Sequence, residues 1–281
     1  MLRRLHVMDL GMGGTSRRAA ALAALVVWLA GCASTGKPPT PAAESAIPGM
    51  GPLPVTALTP ENQVAQSAYW GQLYEGDPTN LEVAVNYGRT LRMTGREQQA
   101  VKVLGAAVTQ HPAAPEALAE YGKALTAAGR TLEGRDYLAQ ANALDRNNWA
   151  NLSAEGVALD QLGDHAAAQA RYEAALNASP NNPAILNNYA LSQARAGRSY
   201  ESERLLRRSV TITSASVQVR QNLAIVLGLK GDFDEAQRYA SADLPPEVVA
   251  GNMDYLRDLV GPGGSSRDPW SQLQSLDEAA E

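Results

Sequence analysis

Five glycines recur along the chain at a constant spacing of 34 residues, and this period constrains the fold more than any other feature of the sequence. They are Gly95, Gly129, Gly163, Gly197 and Gly231. A glycine that ends one helix and opens a tight turn adopts a left-handed backbone conformation without steric cost. Internal repetition at periods of roughly 20 to 50 residues is typical of arrays of small stacked units. The spacing therefore predicts a stack of helix pairs.

Other positions of the 34-residue unit are restricted in the same way. The units are predicted to begin at Leu81, Pro115, Trp149, Pro183 and Val217. The eighth position of every unit is Gly or Ala, where two helices must approach closely, and the twentieth is always small. The eleventh is Leu in four units and Gln193 in the fourth. This pattern resembles the signature of the tetratricopeptide repeat (TPR) family over residues 81–241, which implies antiparallel helix pairs that wind into a superhelix.

Both ends of the array are predicted to carry a closing element. An upstream half-repeat is indicated by Trp70, Leu73 and Pro78. Residues 247–260, which follow the fifth unit, have helical spacing and an apolar face of Val248, Met253, Leu256 and Val260. A solenoid needs such a helix to cover its last exposed face. The predicted fold is an all-α TPR superhelical solenoid over residues 61–260, with five repeats, an N-terminal half-repeat and a C-terminal capping helix.

Residues 1–31 are predicted to be the signal peptide of a bacterial lipoprotein. Several arginines precede an uncharged apolar run from Ala19 to Ala30. This run is shorter than the roughly 20 residues of a membrane-spanning helix. It ends in the sequence LAGC, which resembles a lipobox and implies lipidation of Cys32, the only cysteine in the chain. By the same resemblance, Ala33 favours an outer-membrane lipoprotein that faces the periplasm. The alternative is an ordinary secretory signal with an unrelated cysteine.

Two segments outside the repeats show no periodicity. Residues 32–60 are rich in proline and small residues, which predicts a lipidated cysteine followed by an extended tether. Such a segment spans about 3 Å per residue. Residues 261–281 are predicted to be a disordered tail.

Composition and motifs argue against catalysis and nucleic-acid binding. The net charge of −5 gives no electrostatic reason to expect nucleic acid as a partner. His6, His111 and His165 have no neighbours at metal-ligand spacing, so we expect no metal site. We find no phosphate-binding loop and no nucleophile elbow in the sequence. We therefore expect a binding scaffold without a cofactor or a small-molecule substrate, and not an enzyme.

A protein partner is predicted to bind the concave groove that the first helices of the repeats would line. The candidate groove residues are Asn86, Arg89, Arg92, Lys123, Asn187, Asn188, Gln218, Gln221 and Asn222. Equivalent positions hold Glu82, Glu116, Ser153 and Asp160. An asparagine amide offers both a donor and an acceptor to the backbone of an extended peptide. The alternative is that these asparagines hold the helix pairs together or face water. Arg89, Arg92 and Lys123 meet the pattern of a chaperone-adaptor carboxylate clamp only partly.

The last third of the chain resembles the TadD-type lipoproteins of tight-adherence (Flp) pilus systems. The matching segments are RQNLAIVLGLKG (Arg220–Gly231), ADLPP (Ala242–Pro246) and NMDYLR (Asn252–Arg257). The resemblance implies a pilotin-like accessory factor that supports assembly of the outer-membrane secretin, with the secretin or another pilus-assembly component as its partner. The alternative is a TPR lipoprotein that acts in outer-membrane protein assembly or in recruitment of a cell-wall enzyme.

The lipid anchor is tested by Cys32→Ala. Because Cys32 is the only thiol in the chain, we expect this change to abolish incorporation of labelled fatty acid and to release the protein from the membrane fraction. The matched control is Ser34→Ala, which leaves the thiol in place and should label normally. Unchanged labelling of Cys32→Ala would contradict the anchor.

Overall fold

The computed structural model describes residues 60–212 and 216–261, and within them every regular element is an α-helix. The helices are α1 (Pro60–Gly76), α2 (Leu81–Met93), α3 (Glu97–Gln110), α4 (Pro115–Ala127), α5 (Thr131–Leu144), α6 (Trp149–Gln161), α7 (His165–Ala178), α8 (Pro183–Arg195), α9 (Ser199–Val210), α10 (Val217–Leu229), α11 (Phe233–Ala240) and α12 (Pro246–Val260). The first helix of each repeat begins at the residue that the 34-residue register predicts, so the all-α fold of helix pairs is confirmed. Cys32 and the predicted signal peptide, tether and tail lie outside the described residues, except that Pro60 begins α1 and Gly261 follows α12.

The same turn joins the two helices of each repeat. All five glycines of the 34-residue series have a φ between 70° and 89°, in the left-handed region. The N–H of the residue after each glycine donates to the carbonyl at the eleventh position, as from Arg96 to Leu91 at 2.9 Å. This hydrogen bond satisfies a carbonyl that the helix end leaves free. A side chain at the glycine would cost about 1–2 kcal/mol, which explains the periodicity.

Small residues let the two helices of a repeat approach closely. The eighth-position glycine of α4 and the twentieth-position glycine of α5 face each other. A Cβ on Gly122 would lie 2.8 Å from the carbonyl oxygen of Gly134, and a Cβ on Gly134 would lie 2.7 Å from the carbonyl oxygen of Gly122. In the preceding repeat the space above Gly88 is filled by Leu104, and in the following repeat the space above Gly156 is filled by Tyr172. The small residues at the eighth and twentieth positions therefore set the distance between the two helices of a repeat.

The described residues form two compact units, with the boundary between Val219 and Arg220 inside α10. In the larger unit, α1 to α9, each helix packs on the next one in sequence. The first helices of neighbouring repeats also contact one another, as α2 does with α4 and α6 with α8. The second helices do not approach one another as closely. The first helices therefore line the inner surface of this unit.

The smaller unit, described over residues 220–261, contains most of α10 together with α11 and α12. The predicted capping helix is present, and its buried face matches the prediction at two of four residues. Val249 and Leu259 are buried beside Met253 and Leu256, whereas Val248 and Val260 are only half-buried. Val249, Met253 and Leu256 follow helical i, i+4, i+7 spacing, and Val248 lies one residue outside that stripe.

Close packing is tested by Gly134→Ala. Alanine favours a helix interior by about 1 kcal/mol over glycine, but its Cβ would press against the backbone of α4. We expect the cost of this overpacking to exceed the gain in helix propensity. The free energy of unfolding, measured by urea denaturation, should fall by roughly 1–3 kcal/mol. The control is Gly105→Ala on α3, where the nearest side-chain atom would lie 3.4 Å away, so that stability is unchanged or raised. Equal stability of the two variants would contradict the argument.

Candidate functional site

The inner surface of the larger unit is formed by α2, α4, α6 and α8. Positions six and nine of the repeats leave a row of partly exposed side chains along it. These are Asn86, Arg89, Lys123, Ala154, Val157 and Asn188. The row is basic on α2 and α4, and it continues with uncharged side chains on α6 and α8.

A buried carboxylate organises the basic part of this surface. Glu120 on α4 lies within 3.3 Å of Arg89 Nε and Arg92 Nη2 on α2, and within 3.0 Å of Lys123 Nζ one turn along its own helix. The Glu120 side chain is 6% exposed, whereas the three cations are 15–26% exposed. One anion of the second repeat thus holds cations of two repeats together.

These cations also control the ionisation of Glu120. Burial alone would raise the pKa of this carboxyl, but Lys123, Arg92 and Arg89 together lower the pKa to about 2. The carboxylate therefore stays charged near neutral pH, and the cations remain fixed on it. An unpaired buried carboxylate would cost several kcal/mol.

Asparagine at the sixth position of the first repeat orients one of the cations. Asn86 Nδ2 donates to the Glu82 carbonyl at 3.0 Å, and Asn86 Oδ1 accepts from Arg89 Nη1 at 3.2 Å. Arg89 is thereby held between Asn86 and Glu120. Glu120 was not predicted as a site residue, although the sixth position of the second repeat places it one helical turn from Lys123.

The predicted residues of the fourth repeat are divided between interior and surface. Asn187 is buried, whereas Asn188 is partly exposed. The Asn188 Nδ2 atom lies 3.4 Å from Ser153 Oγ on the preceding first helix, and Asn187 Nδ2 lies 3.5 Å from Asn188 Oδ1. These are long contacts, so the Asn188 amide can exchange them for a ligand at little cost.

The predicted residues on α10 are mostly interior. Gln218 is half-buried, and Asn222 is fully buried. Gln221 is also buried and donates from Nε2 to the Ala240 carbonyl at 3.4 Å and to Asp243 at 3.3 Å. Gln221 thus links α10 to the end of α11 and to the turn that follows it.

Asp160, expected beside the groove, is sealed inside the protein. Its carboxylate has no exposed surface and accepts hydrogen bonds from Tyr172 and Ser192 at 2.9 and 2.8 Å, with His165 Nδ1 also at 2.8 Å. Burial and the neighbouring Asp160 carboxylate raise the pKa of Tyr172 well above its usual range. A third buried acid, Glu155, accepts from Asn142 at 2.7 Å and pairs with Arg171 at 3.1 Å. These acids are internal links and not ligands for a partner.

Within residues 60–212 and 216–261, no cluster of three or more His, Cys, Asp or Glu side chains could hold a metal ion. No helix among the same residues is long and apolar enough to cross a membrane.

The cation cluster is tested by Glu120→Gln. Because the folded pKa is depressed from 4.5 to about 2, ionised Glu120 stabilises the fold above pH 4.5, and this contribution is lost as the pH falls to about 2. The shift corresponds to roughly 3 kcal/mol. At pH 7 the variant should lose roughly 3–5 kcal/mol, since it removes the anion that three partly buried cations share. Urea unfolding should show the gap to wild type closing below pH 4.5. A constant gap, or an equal effect of the exposed control Glu116→Gln, would contradict the assignment.

Comparisons with known proteins agree with this architecture. A family model described as "Tetratricopeptide repeat" matches residues 153–182. An uncharacterized protein of Sinorhizobium fredii, y4yS, is 35% identical over 111 residues, which are 40% of this chain. The match spans 60% of that relative's length.

Two solved structures share the fold. The thermophilic TPR protein TTC0263 of Thermus thermophilus has a TM-score of 0.56 at 17% identity, covering 63% of this chain and 98% of that protein. A TPR protein of Parabacteroides merdae has a TM-score of 0.55 at 15% identity, covering 78% of this chain and 93% of that protein. The repeat register, the five equivalent turns and these two structures show that the chain has the fold of a tetratricopeptide-repeat solenoid, and residues 153–182 match the repeat itself.

Proposed function

We propose that this protein is a membrane-anchored scaffold that binds a protein partner along its inner surface and takes no part in catalysis. The partner is a secretin subunit or another component of a tight-adherence (Flp) pilus, and the protein acts as a pilotin-like assembly factor. Its place is the periplasmic face of the outer membrane, where lipidated Cys32 anchors it.

The observation that carries the binding role is the row of partly exposed side chains on consecutive first helices. Arg89 and Lys123 supply fixed charges, Ala154 and Val157 supply small apolar contacts, and Asn188 supplies an adaptable amide. Stacked repeats use such extended inner surfaces for binding. An extended segment of a partner can contact several repeats along this surface.

The pilus assignment is supported by the TadD-like segments of the smaller unit. Arg220, from the first segment, makes a two-point ion pair with Asp243 of the second segment, at 2.8 and 2.6 Å. Leu256, from the third segment, packs over Gly228 of the first. The three segments are therefore parts of one packed unit. Their resemblance to TadD-type lipoproteins thus involves one structural element and not three separate stretches of sequence.

The binding surface is tested by photo-crosslinking in cells. A benzoylphenylalanine residue replaces Ala154 on α6 in one variant and Ala166, an exposed alanine on the second helix of the same repeat, in the other. We expect crosslinks to a secretin from position 154 and none from position 166. Gene deletion should also reduce secretin multimers and surface pili.

The outcomes separate the proposed role from its alternative. Crosslinks from position 154 to outer-membrane assembly factors or cell-wall enzymes would replace the pilus role with that alternative. Equal crosslinking from both positions would refute the inner surface as the binding site. Unchanged secretin multimers and pili after deletion would refute the pilotin-like role.

A further inference from the structure

We propose that the cations gathered around Glu120 bind an acidic segment of the protein partner, whose carboxylates pair with Arg89, Arg92 and Lys123. This inference rests on the proposed binding role of the inner surface and specifies the chemistry of the segment that lies against α2 and α4.

The first argument is the imbalance of charge at this cluster. Three cations converge on one carboxylate, which leaves an excess of two positive charges in a chain whose net charge is −5. The cations keep unused hydrogen-bond donors. Lysine has three donors and arginine has five.

The second argument is that the cations are already fixed in position. Glu120 and Asn86 hold Arg89, and Glu120 also holds Arg92 and Lys123. The long side chains therefore lose little conformational entropy when a ligand arrives. Fixed charges bind an anion better than freely rotating surface lysines do.

The third argument is the surroundings of the cluster. The cations occupy the second halves of α2 and α4, while the exposed acids Glu82 and Glu116 occupy the first turns of these helices. On the next first helix, Ala154 and Val157 are uncharged. The site therefore fits a carboxylate that lies beside small or apolar side chains. Glu82 and Glu116 would repel further carboxylates of the ligand at the first turns of the two helices.

A protein segment fits this site better than a lipid surface does. The cations lie on the inner surface of the repeat stack, and their side chains are only 15–26% exposed. A flat bilayer cannot follow that surface, whereas an extended chain can enter it.

The test measures binding of the purified full chain, in detergent, to a labelled peptide in which Glu alternates with Ala and Leu. A matched peptide carries Gln at every Glu position. The variants are Lys123→Gln, Arg89→Gln and the control Lys102→Gln, an exposed cation on α3. We expect each of the first two to weaken binding of the Glu peptide by roughly threefold to tenfold. Lys102→Gln should have no effect, and added salt should weaken only the Glu peptide.

Several outcomes would overturn the inference. These are a Glu peptide that binds no better than its Gln match, an equal effect of Lys102→Gln, and binding to anionic phosphatidylglycerol vesicles that depends on Lys123. Thermal melts are used to check that each variant is folded. If Lys123→Gln does not fold, Arg89→Gln provides the test of the inference. If position 154 crosslinks to a partner in cells but the purified chain does not prefer the Glu peptide, the proposed acidic segment is refuted while the binding role stands. If those crosslinks are absent, the proposed function itself fails.

Discussion

Close approach of two helices within each repeat is the constraint on which the rest of the structure depends. Where Gly122 and Gly134 face each other, no space remains for a side-chain carbon between the backbones of α4 and α5. The left-handed glycine in the following turn, such as Gly129 with a φ of 77°, reverses the chain within a few residues. Both requirements exclude larger residues, so they recur with the repeat. The sequence period is therefore a record of steric limits.

Structural features that depend on such local steric limits can be predicted well from the sequence. The starts of the first helices, the five turns and the all-α fold follow from residue types at fixed positions. Met253 and Leu256 of the capping helix are buried as predicted, whereas Val249 is buried in place of Val248. These two valines are equally apolar, so the sequence pattern alone does not distinguish them. Side chains that neighbour each other only in three dimensions are harder to foresee.

The candidate surface illustrates this second limit. Arg92 and Glu120 are 28 residues apart, and Asp160 and Ser192 are 32 apart. The local sequence pattern predicts such charged side chains to be solvated residues of the groove. It does not reveal that the neighbouring repeat supplies their hydrogen-bond or ion-pair partner. Arg89 and Lys123 lie on first helices, as the repeat register requires, whereas the buried Glu120 that contacts both of them was not predicted.

Buried polar links also give the stack its order. The apolar contacts between repeats use similar Leu, Ala and Gly residues and discriminate poorly among neighbours. The polar links differ: Glu120 joins the second repeat to the first, Asn142 joins the second to Glu155 of the third, and Asp160 joins the third to Ser192 of the fourth. Exchanging repeats would bury a carboxylate without its partner, at a cost of several kcal/mol. Of these links, Glu120 also fixes Arg89, Arg92 and Lys123 in position, so the proposed binding chemistry and the order of the repeats are coupled at this one residue.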